Sequence, residues 1–227
     1  MHPTGTLVVD LDGTLVDTAP DLMAALNMVL RKGGYPTLGM EEANNMIGAG
    51  ARALVERGLA AVGADLNVQE IDRIFDDFFS YYTDHIADKG RPFPGAVAAI
   101  EQFRAAGWKT AVCTNKLEGL SRQLLSELGI LNRFDAVGGG DSFSVKKPNP
   151  EHLWKTIAAA GGDAGSAVMV GDSETDIATA KAAGIPVVAV DFGYTPVPVE
   201  TFLPDRVIGH FDELYGVVAE LSSNSAP

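Results

Sequence analysis

The sequence predicts an α/β fold, a Rossmann-like doubly wound parallel sheet core that carries an inserted small all-α domain. Three observations lead to this fold class. Short apolar runs alternate with helical segments of about ten residues, several of these runs end in an acidic or polar residue, and one long stretch near the start contains only helical patterns. Such alternation requires right-handed crossovers and therefore a parallel sheet.

Five apolar runs are predicted to be buried strands. They span residues 6–10, 108–115, 134–137, 167–172 and 186–191. Most of them end in acidic or other polar residues. In open parallel sheets, ligands bind beside the carboxyl ends of the strands. We therefore expect the functional site at that edge of the sheet.

The helices between these strands are predicted over residues 96–106, 117–128, 151–160 and 174–183. Each of these segments is followed by a glycine, the residue that most easily takes the left-handed conformation that closes a helix.

Residues 18–89 interrupt the alternation and contain helical patterns only. One apolar stripe with a helical period consists of Val68, Ile71, Phe75, Phe78 and Tyr82. The chain enters this stretch through residues 15–18 and leaves it through the turn-rich residues 89–95. Because the two connections are close together, we expect a hinge there. We therefore assign residues 1–17 and 90–227 to the α/β core and residues 18–89 to the inserted helical domain.

Composition and charge exclude several function classes. The chain has 227 residues, with 17 Lys and Arg against 30 Asp and Glu, a net charge of −13. Nucleic acids and anionic membranes attract clustered basic residues, so we expect neither as a partner. The start lacks the basic and apolar segments of a signal peptide, and the single Cys113 has no internal partner for a disulfide. We expect a cytoplasmic protein that acts on a small molecule.

Two acids follow the first predicted strand, in Asp10-Leu11-Asp12-Gly13-Thr14. Side chains two apart on an extended chain point the same way, so both carboxylates are expected on one side. Two acids here suit a nucleophile with a general acid, or a shared metal ion. The alternative is an Asx-turn at the start of a loop.

A second pair of acids, Asp172 and Asp176, follows the fourth predicted strand. Their spacing of four puts both on one face of the opening helical turn. Metal binding and helix N-terminal capping explain this pair about equally well.

Two further segments carry groups that can bind phosphate. Thr114 and Asn115 offer a hydroxyl and an amide, with helix capping as the alternative. Lys147 precedes Pro148 at a helix entrance, where a fixed lysine serves as a counter-charge. A solvated surface lysine is the alternative.

Taken together, these segments resemble the haloacid dehalogenase superfamily of phosphohydrolases. The order is Asp-x-Asp-Gly-Thr, Thr-Asn, Lys-Pro and then Gly-Asp-x-x-x-Asp, and it spans nearly the whole chain. The inserted helices resemble the small cap domain of that family. Residues 10–18 and 147–150 resemble its phosphoglycolate phosphatase branch.

The resemblance implies a role for each motif residue. Asp10 would be the nucleophile that forms an aspartyl-phosphate, and Asp12 would be the acid and later the base. Thr114, Asn115 and Lys147 would bind the transferring phosphoryl group. The implied cofactor is Mg²⁺, and its ligands would be the carboxylate of Asp10, the backbone carbonyl of Asp12 and Asp172, with Asp176 helping directly or through water. Four carboxylates facing a phosphate dianion require such a cation, because Lys147 alone cannot offset their charge.

Residues 47–52 are the candidate specificity loop of the cap. Its glycines allow a close approach, and the fork of Arg52 suits a substrate carboxylate. The alternative is that Arg52 is a solvated residue on a helix.

These observations predict a Mg²⁺-dependent phosphatase for a small phosphomonoester, with 2-phosphoglycolate as the best candidate. A sugar-phosphate mutase is the main alternative, since it uses the same core but returns phosphate to the sugar. A phosphatase for another small metabolite also fits. Asp12 argues against a dehalogenase, and the complete set of motif residues argues against a non-catalytic binding module. A monomer and a homodimer are equally compatible with the sequence.

Overall fold

The computed structural model describes residues 4–43, 46–47 and 50–224. Within these ranges the strands are β1 (Thr6–Val9), β2 (Val16–Asp17), β3 (Arg91–Pro92), β4 (Lys109–Cys113), β5 (Ala136–Gly138), β6 (Ala167–Gly171), β7 (Val187–Val190) and β8 (Arg206–Ile208).

The helices in the same ranges are α1 (Ala19–Lys32), α2 (Met40–Ala43), α3 (Ala51–Ala61), α4 (Val68–Asp84), α5 (Ala96–Ala105), α6 (Glu118–Glu127), α7 (Pro150–Ala159), α8 (Glu174–Ala183) and α9 (Leu214–Asn224). No helix of this described part is long and apolar enough to cross a bilayer.

Six strands form one sheet in the order β5-β4-β1-β6-β7-β8, and every neighbouring pair is parallel. Val8 of β1 lies between Ala111 of β4 and Met169 of β6. The chain first builds outward from β1 on one side and then returns to add β6 on the other. The strand order therefore reverses at β1, as in a doubly wound fold. The predicted α/β fold class is confirmed.

Both faces of the sheet are covered by helices, because successive side chains of a strand point to opposite faces. Leu7 and Val9 belong to one apolar core, which α5, α6 and α9 cover. Val8 belongs to a second core beneath α7 and α8. The five predicted core strands match β1, β4, β5, β6 and β7 to within a few residues at each end. The sequence patterns did not predict β8 and α9.

The helices α1 to α4 enter and leave through a two-stranded ribbon. In this ribbon Val16 of β2 lies opposite Pro92 of β3, and Asp17 lies opposite Arg91, in antiparallel register. The helix α4 begins with a capping box in which Asn67 and Glu70 each accept from the other's backbone N–H. We call residues 18–89 the helical insertion. Its limits as an independent domain remain a prediction.

A buried carboxylate joins the start of the helical insertion to its end. Asp21 in α1 is almost fully buried. It accepts hydrogen bonds from the backbone N–H of Lys89 at 3.0 Å and of Gly90 at 2.8 Å. The two connections of the insertion are therefore fixed side by side.

We expect Asp21→Ala to lower the free energy of unfolding by about 1–3 kcal/mol, because it leaves two N–H groups without their acceptor. Urea denaturation measures this change. Asp77→Ala is the matched control, since Asp77 pairs with Lys32 at the exposed surface and its removal should cost at most about 1 kcal/mol. Equal effects of the two substitutions would contradict the role of Asp21.

Candidate active site

Polar side chains of three neighbouring strands meet at one edge of the sheet. Asp10 follows β1, Thr114 follows β4 and Asp172 follows β6. These strands are adjacent and parallel, and the strand order reverses at β1. Ligands of doubly wound sheets bind at such a reversal point. The candidate active site therefore lies where the fold provides a crevice.

Three buried carboxylates form what we call the carboxylate cluster: Asp10, Asp172 and Asp176. One ligand atom from each lies within 4.8 Å of those of the other two. All three residues are buried. The cluster combines the end of β1 with the end of β6 and the first turn of α8, as the sequence motifs predict.

Lys147 provides the positive charge beside the carboxylate cluster. Its Nζ lies 2.8 Å from Oδ1 of Asp10 and 2.6 Å from Oδ1 of Asp176. The side chain is 3% exposed, so the alternative of a solvated surface lysine does not apply. Burial acts to lower the pKa of Lys147, but the charges of Asp10 and Asp176 outweigh it and raise this pKa above the usual value for lysine. The side chain therefore stays a cation.

Asp172 is held by donors from two distant parts of the chain. Thr14 Oγ1 donates to its Oδ1 at 2.7 Å, and the backbone N–H of Tyr194 donates to its Oδ2 at 2.8 Å. Gly13 passes this carboxylate with φ +83°, and a Cβ there would lie 2.6 Å from Oδ2. Only glycine fits this turn without strain or a clash.

Asp176 has both of the roles that its position at the start of a helix allows. Its Oδ2 accepts from Oγ and the backbone N–H of Ser173, which is the N-cap of α8. Its Oδ1 accepts from Lys147 at 2.6 Å. Capping and membership of the carboxylate cluster therefore coexist, because the two oxygens face different partners.

Asp12 lies in a different environment from Asp10, although both leave the same strand end. Its carboxylate accepts from Lys116 Nζ, at 3.0 Å to Oδ1 and 3.4 Å to Oδ2. The same Nζ donates to Tyr82 Oη of α4 at 2.6 Å. The Asp12 side chain is not part of the carboxylate cluster, so a metal role for Asp12 is left to its backbone carbonyl.

Thr114 and Asn115 do not cap the helix that follows them. The N-cap of α6 is Leu117, and it makes no side-chain capping bond. Thr114 Oγ1 accepts from the backbone N–H of Lys116 at 3.2 Å. Asn115 Nδ2 donates to the backbone carbonyl of Lys147 at 3.0 Å. Asn115 thus orients the segment that carries Lys147.

Comparison with known proteins identifies the family of the chain. The family model of haloacid dehalogenase-like hydrolases matches residues 7–190. This range contains every strand-end residue of the site. The chain belongs to this family. The predicted family and the predicted enzyme class, a hydrolase, are confirmed.

Similar proteins cover nearly the whole of this haloacid dehalogenase-like hydrolase. A phosphoglycolate phosphatase of Mesorhizobium japonicum is 50% identical over 94% of each chain. One from Caulobacter vibrioides is 45% identical over 98% of this chain and 94% of its own. The crystal structure of a predicted phosphoglycolate phosphatase from Haemophilus somnus 129PT has a TM-score of 0.88 with 28% identity, over 94% of this chain and 97% of its own.

The residues of the hydrolase fit a divalent cation. The carboxylate cluster supplies only oxygen ligands, which suit Mg²⁺. Oδ1 of Asp10 is buried and has no partner with hydrogen-bond geometry, although Lys147 lies at ion-pair distance. Three carboxylates and one ammonium leave a formal charge of −2, which a divalent cation would neutralise.

Burial makes the carboxylate cluster reluctant to ionise without such a cation. Burial and then the charge of Asp176 raise the pKa of Asp10 to about 8, against the opposing effect of Lys147. The same two causes raise the pKa of Asp172 to about 6. In the metal-free protein, the folded state therefore retains protons that the unfolded chain releases.

Arg52 is engaged with neighbours on the helical insertion. Its Nε lies 2.8 Å from Glu56, its guanidinium lies 2.7 Å from Asp72, and it stacks over the ring of Phe75. Its side chain is 41% exposed. These contacts favour the alternative of a paired surface arginine over a substrate-binding one. Residues 48–49 of the candidate specificity loop lie outside the described residues.

Sequence reasoning did not identify three residues that orient the site. Lys116 carried a signal, since it follows Thr114 and Asn115 directly at a strand end. Thr14 carried one too, as the hydroxyl residue of the first motif. Tyr194 carried none, because it lies 22 residues beyond Asp172 in a loop without a recognisable pattern.

We expect Mg²⁺ to stabilise the protein more at pH 8 than at pH 5. Because the folded-state pKa values of Asp10 and Asp172 are raised, their contribution favours folding below pH 4 and is lost as the pH rises toward 8. To bind at pH 5, Mg²⁺ must displace protons from the carboxyl groups of Asp10 and Asp172. At pH 8 fewer of these protons remain to be displaced. One pKa unit is about 1.4 kcal/mol, and for a chain of this size 1 kcal/mol moves Tm by about 2–4 °C, so the difference should be several degrees.

Thermal unfolding in EDTA and in Mg²⁺ at both pH values measures this effect. Asp172→Asn is the comparison variant, since it removes one carboxylate of the cluster and one of the two groups with a raised pKa, and it should reduce both the Mg²⁺ shift and its pH dependence. An equal Mg²⁺ shift at pH 5 and pH 8 in the unsubstituted protein would contradict the prediction.

We expect Arg52→Ala to leave kcat/KM for 2-phosphoglycolate within about two-fold of the unsubstituted value, because the guanidinium binds Glu56 and Asp72. Steady-state phosphate release measures it. A loss of tenfold or more in kcat/KM, equivalent to about 1.4 kcal/mol of transition-state stabilisation, would contradict this prediction and indicate that Arg52 binds the substrate.

Proposed function

We propose that the chain is a Mg²⁺-dependent phosphatase that hydrolyses a small phosphomonoester, with 2-phosphoglycolate as the preferred substrate. The proposed reaction proceeds through an aspartyl-phosphate intermediate. The observation that carries this proposal is the pairing of Lys147 with Asp10 inside the buried carboxylate cluster. The two phosphoglycolate phosphatases at 50% and 45% identity support the choice of substrate.

Asp10 is the proposed nucleophile. Its carboxylate is buried at the end of β1, beside the ammonium of Lys147. A carboxylate and a phosphate dianion repel each other, so they can come together only beside a fixed positive charge. An oxygen of Asp10 forms a bond to phosphorus while the ester P–O bond breaks. The Lys147 ammonium holds the Asp10 carboxylate and offsets the charge that collects on the phosphoryl oxygens.

Asp12 is the proposed acid and base. In the first step its carboxyl proton passes to the departing ester oxygen. In the second step its carboxylate takes a proton from a water molecule, whose oxygen attacks phosphorus and releases Asp10. Its side chain is 21% exposed, so it reaches both solvent and substrate more readily than Asp10 does.

Thr114 and Lys147 are the proposed ligands of the transferring phosphoryl group. Thr114 Oγ1 accepts from the N–H of Lys116, which leaves its hydroxyl proton for a phosphate oxygen. Asn115 supports the group indirectly, because its amide bonds the backbone of Lys147.

Asp10, Asp172 and Asp176, with the backbone carbonyl of Asp12, are the proposed metal ligands. Bound Mg²⁺ supplies positive charge that stabilises the phosphoryl oxygens in the transition state. Thr14 and Tyr194 keep the Asp172 carboxylate turned into the carboxylate cluster through their hydrogen bonds.

The helical insertion is the proposed cap domain, with residues 18–89 as its limits. A cap excludes bulk water, which strengthens the electrostatic interactions inside the site. It also limits the space beside the leaving group, which favours a small phosphomonoester.

We expect phosphate release from 2-phosphoglycolate in Mg²⁺ and its loss in EDTA. Asp10→Asn should reduce kcat by at least about 10³-fold, because it removes the nucleophile. Asp12→Asn should reduce it by about 10²–10⁴-fold, the usual effect of a general acid, and removal of Mg²⁺ should cost more than that. Asp191→Asn is the matched control, since Asp191 also follows a strand of this sheet but is exposed.

A panel of small phosphomonoesters completes the experiment. Phosphate transfer between sugar positions without release of inorganic phosphate would identify a mutase instead. Full turnover in EDTA, or unchanged activity of Asp10→Asn, would contradict the proposed mechanism.

A further inference from the structure

Lys116 has a buried ammonium that the proposed chemistry leaves without a role. Its side chain is 7% exposed. Its Nζ donates to both oxygens of Asp12, at 3.0 and 3.4 Å, and to Tyr82 Oη at 2.6 Å. A buried ammonium with two such partners is fixed in position, because any other orientation would leave its charge unpaired.

The second partner belongs to the helical insertion. Tyr82 lies near the end of α4, is 2% exposed and packs against Phe78 at 6.0 Å between ring centroids. The Lys116 ammonium also lies 4.7 Å from the centre of the Tyr82 ring, within the range of a cation–π contact. Lys116 therefore connects a residue of the α/β core with a rigid aromatic residue of the insertion.

The other lysine of the site is not available to Asp12. Lys147 is committed to Asp10 and Asp176, on the side of the carboxylate cluster. The two acids that leave the end of β1 are thus held by two different lysines, one for each carboxylate. Asp12 is bonded to Lys116, and Lys116 is bonded in turn to Tyr82.

We propose that Lys116 is the positioning residue of Asp12, and that Tyr82 makes this positioning depend on contact between the helical insertion and the core. The inference rests on the proposed function, in which Asp12 protonates the departing oxygen. In this proposal Lys116 acts through Asp12 and not on the transferring phosphoryl group. With Lys116 and Tyr82 in contact, the Asp12 carboxyl is aimed at the leaving group; without that contact it is free to rotate.

The dependence of the rate on the leaving group distinguishes positioning of Asp12 from phosphate binding, from binding of the substrate carboxylate and from a purely structural role. An alkoxide needs a proton as it departs, whereas p-nitrophenolate departs without one. Impaired positioning of Asp12 therefore slows the cleavage of alkyl phosphates and spares p-nitrophenyl phosphate. The ratio kcat/KM is the right measure, because it reports the steps up to departure of the leaving group and not the later hydrolysis of the aspartyl-phosphate.

The test compares 2-phosphoglycolate, ethyl phosphate and p-nitrophenyl phosphate with the full chain in Mg²⁺. We expect Lys116→Met to lower kcat/KM for both alkyl esters by about 10–100-fold, a part of the usual general-acid effect, and for p-nitrophenyl phosphate by less than about three-fold. Tyr82→Phe, which removes one oxygen, should give the same pattern with smaller factors. In an Asp12→Asn background, Lys116→Met should cause no further loss for the alkyl esters.

Gln123→Ala is the matched control. Gln123 Nε2 donates to the backbone carbonyl of Thr83 at 2.9 Å, so like Lys116 it joins the core to the end of α4, but it makes no hydrogen bond to Asp12. This variant should keep the unsubstituted kcat/KM for all three esters. If Lys116→Met does not fold, Tyr82→Phe carries the comparison, since it keeps the ring and its packing.

Three outcomes would overturn the inference. An equal loss for all three esters would make Lys116 a phosphate-binding or purely structural residue. A loss confined to 2-phosphoglycolate would make it a ligand of the substrate carboxylate. Unchanged kinetics would remove any role. Failure of the proposed function is distinguishable, because the unsubstituted protein would then release no phosphate from any of the three esters.

Discussion

The site depends on keeping three carboxylates buried beside one ammonium. Two like charges about 4 Å apart repel by about 4 kcal/mol at an effective dielectric constant of 20, and burial adds a desolvation cost to each. Lys147, Ser173 and the hydroxyl of Thr14 offset part of this, since each bonds a carboxylate oxygen of the cluster. A divalent cation would neutralise the remaining negative charge. The protein thus maintains an excess of buried negative charge, which a bound cation would balance.

The strand order makes this arrangement possible. Because β4, β1 and β6 are adjacent and parallel, the residues that follow them converge without any long loop. Convergence at this density requires glycine where the backbone passes a carboxylate. Gly13 turns with φ +83° beside Asp172, and a Cβ at Gly193 would also collide with the side chain of Asp172. The strand order places the acids close together, and the two glycines leave the space that the Asp172 side chain occupies.

The sequence predicts the parts of this structure that local patterns encode. The strands with continuous apolar runs and the helices closed by glycine follow from periodicity, and the motif acids follow from their strand-end positions. The three-residue β8 has no such pattern, and its pairing with β7 defines it. The partners within the site were not predictable either. Lys116 and Tyr82 are 34 residues apart, and nothing in either segment specifies the other.

The contacts between the helical insertion and the core reach the two sides of the site by different routes. Tyr194 donates its backbone N–H to Asp172, while its hydroxyl donates to Asp17 at 2.6 Å and accepts from the N–H of Ala19 at 3.0 Å. This residue links the entry of the insertion to the carboxylate cluster through three short hydrogen bonds, two of them buried. On the other side, Tyr82 reaches Asp12 only through the long side chain of Lys116. The carboxylate cluster and Asp12 are therefore linked to different parts of the insertion, the cluster to its entry and Asp12 to the end of α4. In the proposed function, the first link would hold the metal ligands in place, and the second would orient the acid that serves the leaving group.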